Sequence, residues 1–352
     1  YQHSLIIFKE ALVMSDSVEM KEMAKLLEKV RQEEWSKQYL TTFFINILHA
    51  EKSENLELFL LRYMGVNPIA GDNYPLRAAA ASGHKQTVYE LLQRGANANA
   101  DGRRALINAI ERENAEIAEI LLHEIELSVQ GSTAEEKEKL AQDLTLALNV
   151  AVGKNFDSIT ERVLKLGAKP VASLLTTAVR KQNHKIVDLL FMYGINQSKH
   201  YKAALGDSML EAIEQGDEAM VRKLTMMGAD ATNGIYIIKA SQKGFTKLVE
   251  FFARMSSGKS RDFMNKGMEE PLLSGHLDTV LLFQKLGADP TIEFVYRLRA
   301  TARKGYTDIV KYLINLKPSN LAFAADRALH VLEGCNVKEE IISMLKEAAI
   351  SN

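Results

Sequence analysis

Cysteine is nearly absent from this chain of 352 residues: Cys335 stands alone. That excludes an intrachain disulfide framework and makes a reducing, cytoplasmic setting the expectation. Six prolines and 20 glycines are too few for a disordered or fibrous chain, and 47% hydrophobic residues can bury a sizeable core. An excess of either charge is missing as well. The 44 Lys and Arg face 45 Asp and Glu, a net charge of −1, so no chain-wide field recruits nucleic acid or an anionic membrane. Charge-driven recognition has to come from a local patch. Apolar runs such as Leu5 to Phe8 and Phe43 to Leu48 fall far short of the roughly 20 residues that cross a bilayer, so no membrane insertion is expected. The chain opens on Tyr1 with no secretory leader, which reads as a fragment of a longer protein.

Patterns that carry chemistry are scarce too. Gly258-Lys259-Ser260 resembles the end of a phosphate-binding loop, but Ala253 stands where the earlier glycine belongs. The eight histidines form no His-Glu-x-x-His set or other ligand cluster. Cys335 and His330 lack a third residue to orient them as nucleophile and base. The carboxylate pairs Glu135-Glu136 and Glu269-Glu270 are consecutive, and consecutive residues on a helix do not face each other. The expectation is no catalytic residue, no cofactor and no metal.

What the chain does have is repetition. The clearest unit runs Tyr74-Pro75-Leu76-Arg77-Ala78-Ala79-Ala80-Ala81-Ser82-Gly83-His84, followed by Val88, Leu91, Leu92 and Gly95-Ala96-Asn97. Turn positions recur at Gly83, Glu113, Asn155, Gln182, Gly216, Gly244, Gly275 and Gly305, with a last one expected at Asn336. Four residues before the turn stands a small side chain: Ala79, Ala109, Ala151, Ala178, Ala212 and Ala240. Gly95, Gly167, Gly194, Gly228 and Gly287 each come 12 residues after a turn, the length of a three-turn helix. Between turn and glycine lies a Val/Ile and Leu face at helical spacing. Such units cannot bury that face alone and have to stack.

At these residues the chain resembles the ankyrin-repeat family, with Tyr74-Pro75-Leu76-Arg77 where the family usually has Thr-Pro-Leu-His, and the spacing scatters around its 33-residue period. The resemblance covers residues 36 to 349. It implies an all-α ankyrin-repeat solenoid of about nine or ten helix-turn-helix units with a helical N-terminal cap. The expected boundaries are a cap over 1–34 opened by Asp16 and Glu19, an array over 35–319 with a helical insertion near 126–142, and a C-terminal capping repeat over 320–352. Thr133 and Glu136 form a capping box at the start of that insertion. Pro271 departs from the pattern, standing where the small Ala belongs. His84 and His276 come directly after turn glycines, where a bond to turn backbone is expected.

The resemblance also implies a concave groove faced by the two residues before each turn. Of 16 such residues here, seven are Lys or Arg and two are acidic, where the chain-wide proportion would give two basic ones. The expected partner-binding residues are therefore Lys154, Arg180, Lys181, Lys243, Arg303 and Lys304, with the aromatic anchors Tyr201 and Tyr296 nearby. The function expected is a non-enzymatic scaffold that holds a protein partner bearing an acidic segment, with no nucleic acid bound. The second reading is the targeting portion of a larger enzyme whose catalytic domain lies outside this chain. Degenerate repeats and scarce cysteine are similar to those of ankyrin effectors that intracellular bacteria deliver, which would place the chain in host-cell cytoplasm.

Overall fold

A computed structural model describes residues 36–49, 54–256 and 261–350, together with Lys25 and Glu28. The cap expected over 1–34 and the Gly258-Lys259-Ser260 segment lie outside the described residues. Every regular element among the described residues is helical, and these helices form ten consecutive pairs. Contacts group the chain into two compact units, divided after Lys199.

In the first unit the pairs are α1 (Lys37–His49) with α2 (Glu54–Tyr63), α3 (Ala70–Ser82) with α4 (Lys85–Gln93), α5 (Ala100–Glu111) with α6 (Ala115–Ser128), α7 (Ala134–Gly153) with α8 (Asp157–Lys165), and α9 (Ser173–Arg180) with α10 (His184–Met192). In the second they are α11 (Tyr201–Gln215) with α12 (Glu218–Met226), α13 (Gly234–Gln242) with α14 (Thr246–Met255), α15 (Arg261–Gly267) and α16 (Glu269–Ser274) with α17 (Leu277–Lys285), α18 (Phe294–Arg303) with α19 (Thr307–Asn315), and α20 (Leu321–Leu332) with α21 (Glu339–Ile350). First helices pack on first helices within each unit, and in the first unit second helices likewise stack on second helices. The core is the seam between the two layers, where Leu91, Leu121, Val163, Leu190, Leu224, Phe252 and Leu313 are buried.

The turn that reverses each pair has one geometry. Gly83, Glu113, Asn155, Gln182, Gly216, Gly244, Gly275 and Gly305 all have φ between 55° and 85°, the left-handed region. The next residue's N–H then bonds the carbonyl five positions back: His84 to Ala79 (3.1 Å), Asn114 to Ala109 (2.8 Å), Phe156 to Ala151 (3.0 Å), Asn183 to Ala178 (3.0 Å), Asp217 to Ala212 (3.0 Å), Phe245 to Ala240 (3.0 Å), His276 to Pro271 (2.9 Å) and Tyr306 to Thr301 (3.1 Å). This is the Schellman termination, which satisfies a carbonyl that the helix end leaves open. The recurrent small residue is thus the acceptor of that bond, and Pro271 and Thr301 serve equally because only their carbonyls are used. The last turn differs from expectation: the left-handed residue is Gly334 (φ 79°), not Asn336, since glycine adopts this region without the Cβ clash.

Residues after the turns clasp neighbouring repeats. The Asn114 amide donates to the carbonyls of Ala80 (2.9 Å) and Ala81 (3.0 Å), open acceptors at the end of α3. His276 Nε2 makes the same kind of bond to the Gln242 carbonyl at 2.9 Å, as expected for a histidine after a turn glycine. His84 does not. Its Nδ1 lies 2.9 Å from both carboxylate oxygens of Glu57, a fully buried acid on α2. Burial pushes the Glu57 carboxyl above the usual carboxylate range, and the neighbouring His84 opposes that rise.

Two local departures have physical causes. α7 is the longest helix described; Thr133 caps it with a reciprocal bond to Glu136, and the preceding α6 runs on to Ser128. Pro271 removes an N–H from the first helix of its repeat, which is broken into α15 and α16. There the buried guanidinium of Arg297, 3% exposed, donates to the carbonyls of Asn265 (3.1 Å) and Asp289 (3.1 Å). Desolvation pulls the Arg297 pKa below its ordinary value.

Leu91 and Leu190 are both fully buried on second helices. Changing either to Ala is expected to lower unfolding free energy by about 2 to 5 kcal/mol in urea titrations, the range for a leucine lost from a packed interior. A loss below about 0.5 kcal/mol at both would place them outside the core.

Candidate partner-binding surface

The six expected cations share one structural position. Each stands on the last residue of a first helix or on the residue that caps it, immediately before a left-handed turn, and each is exposed. Helix C-termini favour positive side chains through the aligned carbonyl dipoles, so local electrostatics already accounts for part of this enrichment.

Three of the lysines are also engaged with the preceding repeat. Lys154 Nζ lies 2.9 Å from Glu113 Oε1, across the turn of the repeat before. That contact, reinforced by Lys181, holds the Glu113 carboxyl below its usual range. Lys243 Nζ lies 2.5 Å from Glu214 Oε2, with Lys239 at 3.9 Å, and the Glu214 carboxyl is held low by the Lys243 bond. Lys304 donates to the Leu273 carbonyl and sits 6.0 Å from the centre of the Tyr306 ring. Spacing along the chain carries no sign of these ties, because their acceptors lie about a repeat away.

The two tyrosines part company. Tyr296 is 41% exposed on α18. Tyr201 is half-buried, its hydroxyl donates to the Met227 carbonyl at 3.0 Å, and burial raises its pKa. That phenol works as an internal fastener of its repeat. Lys154, Arg180 and Lys181 belong to the first unit; Lys243, Arg303, Lys304, Tyr201 and Tyr296 belong to the second.

A cleft of about 480 Å³ opens over the first helices α1, α3 and α5 of the first unit. Just before the lining residues Tyr74 and Arg104 the chain carries two unusual backbone segments: Gly71, Asp72 and Asn73, then Asp101, Gly102 and Arg103, are all left-handed, so the regular part of α3 starts at Tyr74. Arg77 links these segments, donating to Asp101 and to the Gly71 carbonyl (3.2 Å). Its guanidinium also lies 5.4 Å from the Tyr74 ring centre.

This architecture has a counterpart among known sequences. Residues 47–131 match the family model described as ankyrin repeats, in three copies. Residues 47–131 of the chain are ankyrin repeats. The match spans the repeats that surround the cleft, and ankyrin repeats are protein-interaction modules. No curated protein matches the chain. None of the helices among the described residues is long and apolar enough to cross a membrane.

The cleft itself is only partly legible in the sequence. Arg112 is one of the residues before a turn, but Arg104 and Asn108 are not, and the reading by turns passes over them. A signal is present in their spacing: Arg104, Asn108 and Arg112 come at intervals of four, a polar stripe on one face of α5.

Because the Lys243–Glu214 pair is exposed, it contributes little to folding. Lys243→Met is expected to change unfolding free energy by less than about 1 kcal/mol in urea titration. A larger loss would show that these lysines are structural ties first.

Proposed function

We propose that this ankyrin-repeat chain is a non-enzymatic scaffold that binds a partner protein along the ends of its first helices. In the first unit Lys154, Arg180 and Lys181 meet acidic side chains of the partner; in the second, Lys243, Arg303 and Lys304 do so, with Tyr296 as an aromatic anchor. The observation that carries this reading is the common position of the six cations, exposed and beside a left-handed turn in every repeat that holds one. Internal ties do not disqualify the lysines. An exposed ion pair contributes little to folding, so a partner carboxylate can replace Glu113 or Glu214 at small cost. Charges at an interface rim accelerate encounter and respond to salt, while a desolvated arginine pair, at Arg180 or Arg303, slows dissociation.

The test is affinity capture with the intact chain, then titration of the purified captured partner against the chain and against Arg180→Glu/Lys181→Glu. The charge reversal is expected to weaken binding about tenfold or more with the melting temperature unchanged, and to weaken it most at low salt. Unchanged affinity at both low and moderate salt would contradict the reading.

A further inference from the structure

We infer that the cleft over α3 and α5 is a subsite for an extended acidic segment of a partner protein, one that carries two carboxylates four residues apart. The inference rests on the chain being a protein-binding module and not on the six helix-end cations.

The cations of the cleft divide into two kinds. Arg77 is neutralised by Asp101 and held by the Gly71 carbonyl, so it shapes the wall and offers little charge. Arg104 and Arg112 are exposed and line the cleft, and their guanidinium groups make no hydrogen bond or ion pair with any described residue. Between them stands Asn108, whose amide nitrogen donates to the Arg77 carbonyl at 3.2 Å. That bond fixes the side chain and leaves its Oδ1 to accept from an incoming backbone N–H. Opposite this stripe the wall of α3 carries Ala78 and Ala81, short enough for a main chain to lie against them.

Spacing then selects the ligand. Arg104 and Arg112 are eight residues apart on one helix, a separation of about 12 Å at 1.5 Å per residue. An extended chain covers that distance in about four residues, and side chains four apart emerge on the same face. A guanidinium prefers a carboxylate bonded through two parallel N–H groups, so each arginine takes one acidic side chain. The residue midway is expected to be small or modestly apolar, facing the alanine wall. Nucleic acid fits less well. Its affinity comes from neutralising many phosphates, whereas this cleft offers two uncompensated cations in a chain of net charge −1.

The experiment measures fluorescence anisotropy of a labelled peptide, Ser-Glu-Gly-Val-Gly-Glu-Ser, titrated with the intact chain at low salt. Saturable binding is expected, weakened about tenfold or more by Arg104→Gln and by Arg112→Gln, and equally weakened when both peptide glutamates become glutamines. Asn108→Ala is expected to weaken it less. Arg180→Glu/Lys181→Glu is expected to leave peptide affinity within about twofold, which separates this subsite from the helix-end cations. Circular dichroism checks that each variant keeps its helix content. Absence of saturable binding to the unaltered chain, or equal binding by the Arg104 and Arg112 variants, would overturn the inference. So would a labelled oligothymidylate that binds more tightly than the peptide and is lost in the same variants. If the peptide behaves as expected while the captured partner ignores the Arg180 and Lys181 reversal, the helix-end reading fails and the cleft stands.

Discussion

A single hydrogen bond, from the N–H just after each left-handed turn to a carbonyl five residues earlier, organises these repeats. It stops the first helix at a fixed point, and reversal of the chain then lays the second helix against it. The bond uses only backbone, so the residue supplying the carbonyl can be Ala79, Pro271 or Thr301 without altering the turn. The turn residue is less free. Glycine occupies five of the eight matching positions, while Glu113, Asn155 and Gln182 hold left-handed φ at a conformational cost of about 1 kcal/mol or more each.

A fixed turn also sets the direction of the next side chain, which is delivered to the neighbouring repeat. There Asn114 and His276 bond backbone carbonyls of the preceding first helix, and His84 meets the buried Glu57. Repeats are thus joined by short polar clasps as well as by the apolar seam, and each clasp reaches only the adjacent repeat. The surface proposed for recognition has the same origin: residues just before the turn sit at a helix C-terminus, where cations are favoured, and they recur at the same place in a repeat because the turns do.

These causes explain what can be read from the sequence. Turn positions and terminating glycines are visible because a left-handed residue and a three-turn helix leave marks at fixed spacing, as at Gly83 with Gly95 and Gly216 with Gly228. The family resemblance is carried by those marks. At the final turn periodicity points to Asn336 and misses Gly334, because periodicity counts residues whereas the chain turns where the Cβ penalty vanishes. Side-chain partners are the hidden part. The ties of Lys154 to Glu113 and Lys243 to Glu214, the inward hydroxyl of Tyr201, and the facing of Arg104 and Arg112 into one cleft all depend on which residues of the same or the adjacent repeat come opposite each other. One-dimensional spacing does not encode that register.

The claim that left-handed turns govern the repeats is tested most directly by substituting two of them in opposite senses. At Gly244 (φ 72°) a Cβ would lie 2.5 Å from His276 Nδ1, whereas Gln182 (φ 55°) is an exposed side chain held in a region that glycine adopts freely. Urea unfolding monitored by circular dichroism should show Gly244→Ala destabilised by at least about 1 kcal/mol and Gln182→Gly stabilised by about 0.5 to 1 kcal/mol. Destabilisation by Gln182→Gly, or a neutral Gly244→Ala, would contradict the account.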